Sequence, residues 1–207
     1  MRCTSTVPRR SCSPRSPNSR TAWSATCQHG CRRYGDLVSA ESYLLILGER
    51  RAIAWVLREQ RMAFPRTARA EVDALAVGDE LFIYTTRGAF GNPTRDRGRV
   101  VGKAVVTSTV TQLDVPIEIA GREFPRGCDI RVESLAPWRS GVDLKALVDR
   151  LAAFPNPKAW SIYLRRPLLR LPKQDARLLG RELAPLGGPP ADNIQGYLDR
   201  APSGPRV

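Results

Sequence analysis

Apolar residues recur in regular patterns only from Glu41 to about Leu198, and this distribution constrains the fold more than any other feature of the 207-residue chain. A segment of about 160 residues is long enough to bury roughly two thirds of its unfolded surface around one core. One domain, residues 41–198, therefore accounts for the regular part of the chain. The polar residues 199–207 that follow are expected to form a flexible tail.

Residues 1–40 differ in composition from the rest, with seven arginines and a single acidic residue, Asp36. Serine, threonine and proline supply much of the remainder. A segment with so little apolar surface cannot offset the entropy lost on folding, so we expect a disordered arm. An alternative hypothesis is that a bacterial start codon at Val38 leaves residues 1–37 outside the natural protein.

The formal charge of +13 is spread unevenly, with +6 in residues 1–40 and +7 in the remaining 167 residues. Of the 33 basic residues, 29 are arginine, and they are spread along the chain rather than along one stripe. Coding bias explains that distribution as well as phosphate recognition does. Net charge alone is therefore weak support for nucleic-acid binding.

No segment of the sequence has the pattern of a membrane span or an export signal. The apolar run Tyr43–Leu47 falls far short of the ~20 residues that a membrane helix needs. Residues 2–21 contain hardly any aliphatic side chains, whereas a signal peptide requires an apolar stretch. We therefore expect a soluble cytoplasmic protein that does not contact membranes.

Four of the five cysteines lie in the arm, where they give only half of a metal site. Cys27 and Cys31 flank His29, as in many zinc sites. The remaining pair, Cys3 and Cys12, have a spacing that fits no common ligand pair. The sequence therefore predicts neither a metal nor a cofactor.

The chain also lacks the residues of the common catalytic sites. His29 is the only histidine and lies in the arm, which excludes histidine-dependent acid–base or nucleophilic catalysis in the domain. Cys128 alternates with polar residues on a predicted strand and is expected to pack in the core. No glycine-rich phosphate loop with Gly-Lys-Ser/Thr is present. No catalytic residue is predicted.

Alternating and continuous apolar runs predict about six strands. These are Tyr43–Leu47, Leu81–Thr86, parts of Arg99–Leu113, a hairpin over Ile117–Phe124 that turns at Gly121, Cys128–Glu133, and Trp160–Leu164. Helical spacing and end signals predict the helices. They are Ala52–Gln60, one turn within residues 70–77, a segment from the capping residues Ser140 and Asp143 to Phe154, and Pro172–Leu183. Without regular βαβ alternation, this pattern predicts an α+β domain around an antiparallel sheet or small barrel.

Four motifs in this order resemble an EVE domain of the PUA-like superfamily over roughly residues 43–184. They are Tyr43-Leu-Leu-Ile-Leu47, Gly78-Asp-Glu-Leu-Phe-Ile-Tyr84, Arg99-Val-Val-Gly-Lys-Ala-Val105, and Trp160-Ser-Ile-Tyr-Leu-Arg-Arg-Pro-Leu168 with Leu171-Pro-Lys-Gln-Asp175. The resemblance implies a mixed, mostly antiparallel pseudo-barrel flanked by short helices. It also implies a relation to YTH and ASCH domains, and a pocket that accepts a flipped, often modified nucleobase.

The resemblance suggests four residues for that pocket. Phe64 stands where the family commonly has a Trp-Gly pair, and an aromatic ring there can stack on a base. Tyr84 and Thr85 end a strand that lines the family's pocket, and Trp160 matches a late family tryptophan. Core packing is the alternative interpretation for each of these side chains.

The loop at residues 87–98 and the start of the next strand supply the candidate phosphate ligands Arg87, Arg95, Arg97 and Arg99. Arginines beside an extruded base can hold the flanking phosphates and fix its register. A solvated loop without a ligand is the alternative interpretation.

Two functions follow as hypotheses. The first is a non-catalytic reader of a modified base in DNA or RNA. The second is a small amidohydrolase that acts on modified nucleosides, because the related ASCH domains include such enzymes with Lys, Thr and Glu in the site. Lys103, Thr107 and Glu133 supply those residue types here. The scarcity of catalytic groups favours the reader.

Overall fold

The computed structural model of the protein describes residues 40–67 and 70–199. The predicted arm therefore lies outside the described residues except for residue 40, and the predicted tail except for residue 199. Within the described part of the chain, no helix is long and apolar enough to cross a membrane.

The described residues form eight strands, four α-helices and three 3₁₀ segments. The strands are β1 (Ser42–Leu47), β2 (Arg61–Phe64), β3 (Glu80–Thr85), β4 (Arg99–Val106), β5 (Thr111–Ile119), β6 (Arg122–Leu135), β7 (Val142–Asp143) and β8 (Leu168–Leu171). The helices are α1 (Arg50–Glu59), α2 (Ala70–Asp73), α3 (Lys173–Leu183) and α4 (Pro190–Leu198), and the 3₁₀ segments are Leu144–Ala146, Val148–Arg150 and Pro157–Arg165.

The strands form one mixed sheet in the order β2-β6-β4-β3-β1-β8, with β5 also paired to β6 and β7 to β4. Only β1 and β3 pair in parallel among the described strands, and all other pairs are antiparallel. The sheet curls into a half-barrel flanked by short helices. The predicted α+β class with a mostly antiparallel sheet is therefore confirmed.

The centre of the sheet is buried on both faces. On one face, side chains such as Leu45 and Ile83 pack with α1 and with Tyr197 of α4. On the other face, Leu44 and Phe82 pack with α3 and the 3₁₀ segments. All six residues of β1 are buried, which explains why its sequence is a continuous apolar run.

Gln60 fixes the end of α1 against the sheet. The residue adopts a left-handed backbone conformation, with φ of 53°, and its N–H donates to the carbonyl of Val56. Its side-chain Nε2 donates to the carbonyl of Leu57 at 2.7 Å, while Oε1 accepts from the N–H of Val132 at 2.7 Å. These bonds direct the chain straight from the helix into β2.

Two segments have a secondary structure different from the one predicted. The segment Trp160–Leu164, predicted as a strand, lies within the 3₁₀ segment Pro157–Arg165. Trp160, Tyr163 and Leu164 all pack against the second core cluster, and their spacing suits a helix rather than a strand. The helix predicted from residue 143 to Phe154 forms two short 3₁₀ turns instead.

Two further elements have weak signals in the sequence and were not predicted. Strand β2 has only four residues and ends beside Pro65. Its neighbour Gly127 lets the strands approach closely, since a Cβ there would lie 2.6 Å from the carbonyl oxygen of Met62. Helix α4 begins at Pro190, and its one fully packed side chain is Tyr197.

We predict that Asp79→Ala lowers the free energy of unfolding by about 2 kcal/mol or more, as measured by urea denaturation. Asp79 is 3% exposed and holds the start of the β1–β3 pair. Its two carboxylate oxygens accept from the N–H groups of Glu41 and Ala76, each at 2.9 Å. The substitution leaves both donors without these acceptors.

The control is Asp149→Ala, which removes an exposed carboxylate from a 3₁₀ turn and should change stability by less than about 0.5 kcal/mol. Equal stability of the two variants would contradict the assigned role of Asp79.

Candidate functional site

The larger of two clefts lies between the end of β1, the start of α1, the end of β2 and the β5–β6 hairpin. Its volume is about 570 Å³, within the ~300–1,000 Å³ range of small-ligand sites. We call it the Phe64 cleft. Its aromatic lining residues are Trp55, Phe64 and Phe124, and its charged ones are Glu49 and Arg122.

Phe64 is both a core residue and part of the wall of this cleft. In β2, Met62 and Phe64 alternate toward the core, and Phe64 pairs with Arg126 of β6. The Phe64 side chain is only 1% exposed, so most of its ring is packed among other residues. Trp55 and Phe124 are more accessible. The accessible ring surface of the cleft therefore comes mainly from Trp55 and Phe124, and Phe64 adds little.

The β5–β6 hairpin presents its side chains to the Phe64 cleft through a tight turn. Ala120 and Gly121 both have positive φ, 53° and 73°, as two-residue hairpin turns require. Ile119 and Arg122 pair across the turn, and both line the cleft. The predicted hairpin with its turn at Gly121 is thus confirmed.

Glu49 is the acidic group at the mouth of this cleft, and it also caps α1. Its Oε2 accepts a hydrogen bond from the N–H of Ala52 at 3.0 Å. Since that bond holds the carboxylate over the helix N-terminus, its other oxygen is positioned to accept from a ligand N–H. The next two residues, Arg50 and Arg51, begin α1 and do not line the cleft.

The smaller cleft, about 160 Å³, lies beside the loop that joins β3 to β4. We call it the arginine cleft. Four arginines line it, Arg95, Arg97, Arg99 and Arg139, together with Thr85 and the rings of Phe90, Trp138 and Tyr197.

Hydrogen bonds hold two of these arginines in position. Arg99 Nη1 donates to the carbonyl of Gly141 at 3.2 Å, and Arg97 Nη1 lies 3.4 Å from Oδ2 of Asp143. The Thr85 hydroxyl donates to the backbone carbonyl of Arg99 at 3.4 Å. Thr85 is 2% exposed, so it positions the start of β4 more than it contacts solvent.

The aromatic side of the arginine cleft is a cluster of three rings. Phe90 and Trp138 meet edge to face with centroids 4.1 Å apart, and Trp138 and Tyr197 do so at 5.4 Å. The Tyr197 hydroxyl donates to the carbonyl of Ala136 at 2.9 Å, and burial raises the pKa of this phenol. Tyr197 thus stays a neutral donor that anchors the cluster.

The structure divides the residues predicted for the site. Phe64 lines one cleft, whereas Thr85, Arg95, Arg97 and Arg99 line the other.

The remaining three predicted residues line neither cleft. Tyr84 is 1% exposed in the core on the opposite face of the sheet, where Gly98 leaves room for its ring. Trp160 packs edge to face on Phe154 at 6.0 Å. Arg87 Nε donates to the carbonyl of Pro93 at 2.6 Å within the loop.

The residues of the alternative amidohydrolase site do not converge on either cleft. Lys103 Nζ lies 2.7 Å from Oε1 of Glu80, and Glu133 lies 3.4 Å from Arg131. Thr107 is four residues beyond Lys103 along the chain, roughly 13 Å at the rise of a strand. None of Lys103, Thr107 and Glu133 lines either cleft.

The two clefts have lining residues on adjacent strands at one end of the sheet. Leu47 lines the Phe64 cleft, Thr85 lines the arginine cleft, and these residues are partners in the parallel β1–β3 pair. Adjacent strands are ~4.8 Å apart, and the carboxyl ends of parallel strands are a common place for ligands.

No model of a known protein family matches the chain, and no curated protein matches it. Similar solved structures include human THYN1 in complex with 5-methylcytosine-containing DNA. It has 12% identity and a TM-score of 0.44, with 69% of this chain and 98% of that chain covered.

Another is the YTH domain of Zygosaccharomyces rouxii MRB1 in complex with N6-methyladenosine RNA. It has 10% identity and a TM-score of 0.48, with 69% of this chain and 86% of that chain covered. A structural-genomics protein of Agrobacterium tumefaciens has 19% identity and a TM-score of 0.45, with 69% and 92% covered.

The structural neighbours thus include an EVE-domain protein and YTH domains, the classes that the sequence resemblance named. Because all three TM-scores lie below 0.5, the function has to be argued from the clefts of this chain.

We predict that Cys128 of the folded protein reacts with iodoacetamide at pH 8 at least tenfold more slowly than the same cysteine in denaturant. The side chain is 2% exposed, and burial raises the pKa of its thiol to about 12. Little thiolate is therefore present at pH 8, and mass spectrometry of the peptide that contains Cys128 measures the rate. Equal rates would show that this strand opens readily.

Proposed function

We propose that the protein is a non-catalytic reader of a modified nucleobase in DNA or RNA, and that the base enters the Phe64 cleft. The observation that carries the proposal is the cleft itself, because a volume of about 570 Å³ and the partly accessible rings of Trp55 and Phe124 suit a planar, apolar-faced ligand. A base extruded from its strand presents such faces.

The polar groups of the cleft support a base rather than a purely apolar ligand. Glu49 offers a carboxylate oxygen to base N–H groups, and Arg122 offers donors to base carbonyls or to a phosphate. Arg50 and Arg51 add positive charge to the first turn of α1, directly after Glu49. A nucleotide therefore finds apolar contacts for its base and positive charge for its backbone.

The apolar walls give a physical reason for preferring a modified base. Leu45, Leu47 and Ile119 line the same cleft as the aromatic rings. An added methyl group buried there gains about 0.8 kcal/mol, which corresponds to roughly a fourfold increase in affinity. Stacking itself contributes ~1–3 kcal/mol per base. Discrimination of a methylated from an unmodified base is therefore expected to be moderate.

We predict that a single-stranded oligonucleotide with one central methylated base binds at least fourfold more tightly than its unmodified counterpart. We also predict that Phe124→Ala weakens binding of the methylated strand about tenfold, because it removes one stacking ring. Phe124 is half-buried, so its truncation is less disruptive than that of Phe64. Fluorescence anisotropy with methylcytosine and methyladenine probes measures both effects.

Ile162→Ala is the matched control, because Ile162 is 56% exposed and lines neither cleft. It should leave binding unchanged. Equal affinity for methylated and unmodified strands, unaltered by Phe124→Ala, would rule out the proposal. Thermal unfolding of each variant confirms that only folded protein is compared.

A further inference from the structure

The arginine cleft has a charge arrangement that calls for an anionic ligand. Its lining contains four arginines and one acidic residue, Asp96, whose Oδ2 accepts from the N–H of Asn92 at 3.1 Å within the loop. Asp143, which is outside the lining, pairs with Arg97 at 3.4 Å. Among the described residues, Arg95, Arg99 and Arg139 make no ion pair. Like charges that line one cleft repel one another, and an anion bound between them relieves that repulsion.

Arg139 occupies a backbone position that is costly for arginine. The N–H of Ser140 donates to the carbonyl of Pro137 at 2.8 Å, which closes a turn with Arg139 at its third residue. Its φ is 64°, a conformation that favours glycine at this position of a type II turn. Strained residues of this kind cluster at ligand sites, and here the turn directs a guanidinium to the cleft.

The rings of this cleft suit a nucleotide better than a free inorganic anion. Phe90 and Trp138 are half-buried and packed edge to face, so their orientation is fixed while part of their surface stays accessible. Aromatic faces beside arginines are the combination that single-stranded nucleic-acid sites use, with stacking for the base and guanidinium groups for the phosphate.

The position of the arginine cleft relative to the Phe64 cleft indicates which nucleotide of a bound strand it binds. Since Leu47 and Thr85 are register partners, the arginine cleft begins one strand away from the Phe64 cleft. The lining residues of both clefts also pack on the same core cluster, including Phe64, Val101 and Tyr197. At Leu47 and Thr85 the two clefts are therefore one strand spacing apart, ~4.8 Å.

We propose that the arginine cleft binds the nucleotide next to the extruded one, with Arg95, Arg99 and Arg139 on its phosphate and Phe90 and Trp138 against its base. This inference rests on the proposed function, and it makes the protein a reader of two successive nucleotides. The protein then recognises a modified base together with the nucleotide next to it on one side, rather than a free nucleoside.

The test compares two probes on the full chain and on Arg139→Gly. Glycine accepts the backbone conformation of this turn, so the variant removes the guanidinium without a folding defect. For the methylated single-stranded oligonucleotide, we expect affinity to fall at least fivefold. The slope of log affinity against log salt should also become shallower by about 0.7, the value for one phosphate contact in a single strand. The free methylated nucleoside, titrated by NMR, should bind both proteins equally.

Arg177→Ala is the control for net charge, because Arg177 is exposed on α3 and lines neither cleft. It should leave the affinity of the oligonucleotide and its salt slope unchanged. An abasic residue on one side of the methylated base should weaken binding at least fivefold, because the cleft then loses the base stacked on its rings.

The outcomes separate the two proposals. If Phe124→Ala weakens both probes while Arg139→Gly and the abasic strands bind normally, the two-nucleotide site is wrong and the base reader stands. If neither probe binds the unaltered protein, both proposals are wrong. A loss of affinity in Arg177→Ala equal to that in Arg139→Gly would show that only net charge matters, and would also overturn the second site.

Discussion

The parallel pairing of β1 with β3 is the constraint on which the rest of the structure depends. Both strands are buried on both faces, so they must lie at the centre of the sheet. Their parallel direction places the ends of both strands, Leu47 and Thr85, at the same edge. The α1–β2 segment leaves from one of these ends and the basic loop from the other. Two clefts built from distant parts of the sequence thereby become neighbours.

The central elements were predictable because their signals are local. The apolar run Tyr43–Leu47 forms the buried strand β1. Ile53, Val56 and Leu57 are spaced three to four residues apart, and all three are buried in α1. The prediction of a strand at Trp160–Leu164 was wrong. The segment is rich in β-forming residue types, but its core-facing residues have helical spacing. Three of those side chains face one core at helical positions.

The candidate site was predictable only where its residues lie close together in sequence. Glycines, Asn92 and Pro93 marked the β3–β4 loop, and its arginines do surround a cleft. Trp138 lies in a turn after β6, and Tyr197 lies in α4. No local sequence pattern around either residue predicts that their rings cluster with Phe90. Tyr84 could not be separated from Thr85 by sequence, since alternation along β3 alone decides which one faces the clefts.

Apolar and charged groups have different roles in the two clefts. In the proposed function, the rings and aliphatic side chains of the Phe64 cleft respond to the shape and methylation of a base. The arginine cleft concentrates positive charge and is proposed to bind phosphate in a salt-dependent way. Under this proposal, the overall charge of +13 matters less for recognition than the four arginines gathered at one edge of the sheet.

The most direct test of the central claim is an NMR titration of isotope-labelled protein with a short single-stranded oligonucleotide that carries one methylated base. The account predicts that the backbone resonances of Gly48, Phe124, Thr85 and Arg139 shift together and saturate at the same ligand concentration. Shifts confined to other surfaces, such as α3 or the 3₁₀ segment Pro157–Arg165, would contradict it.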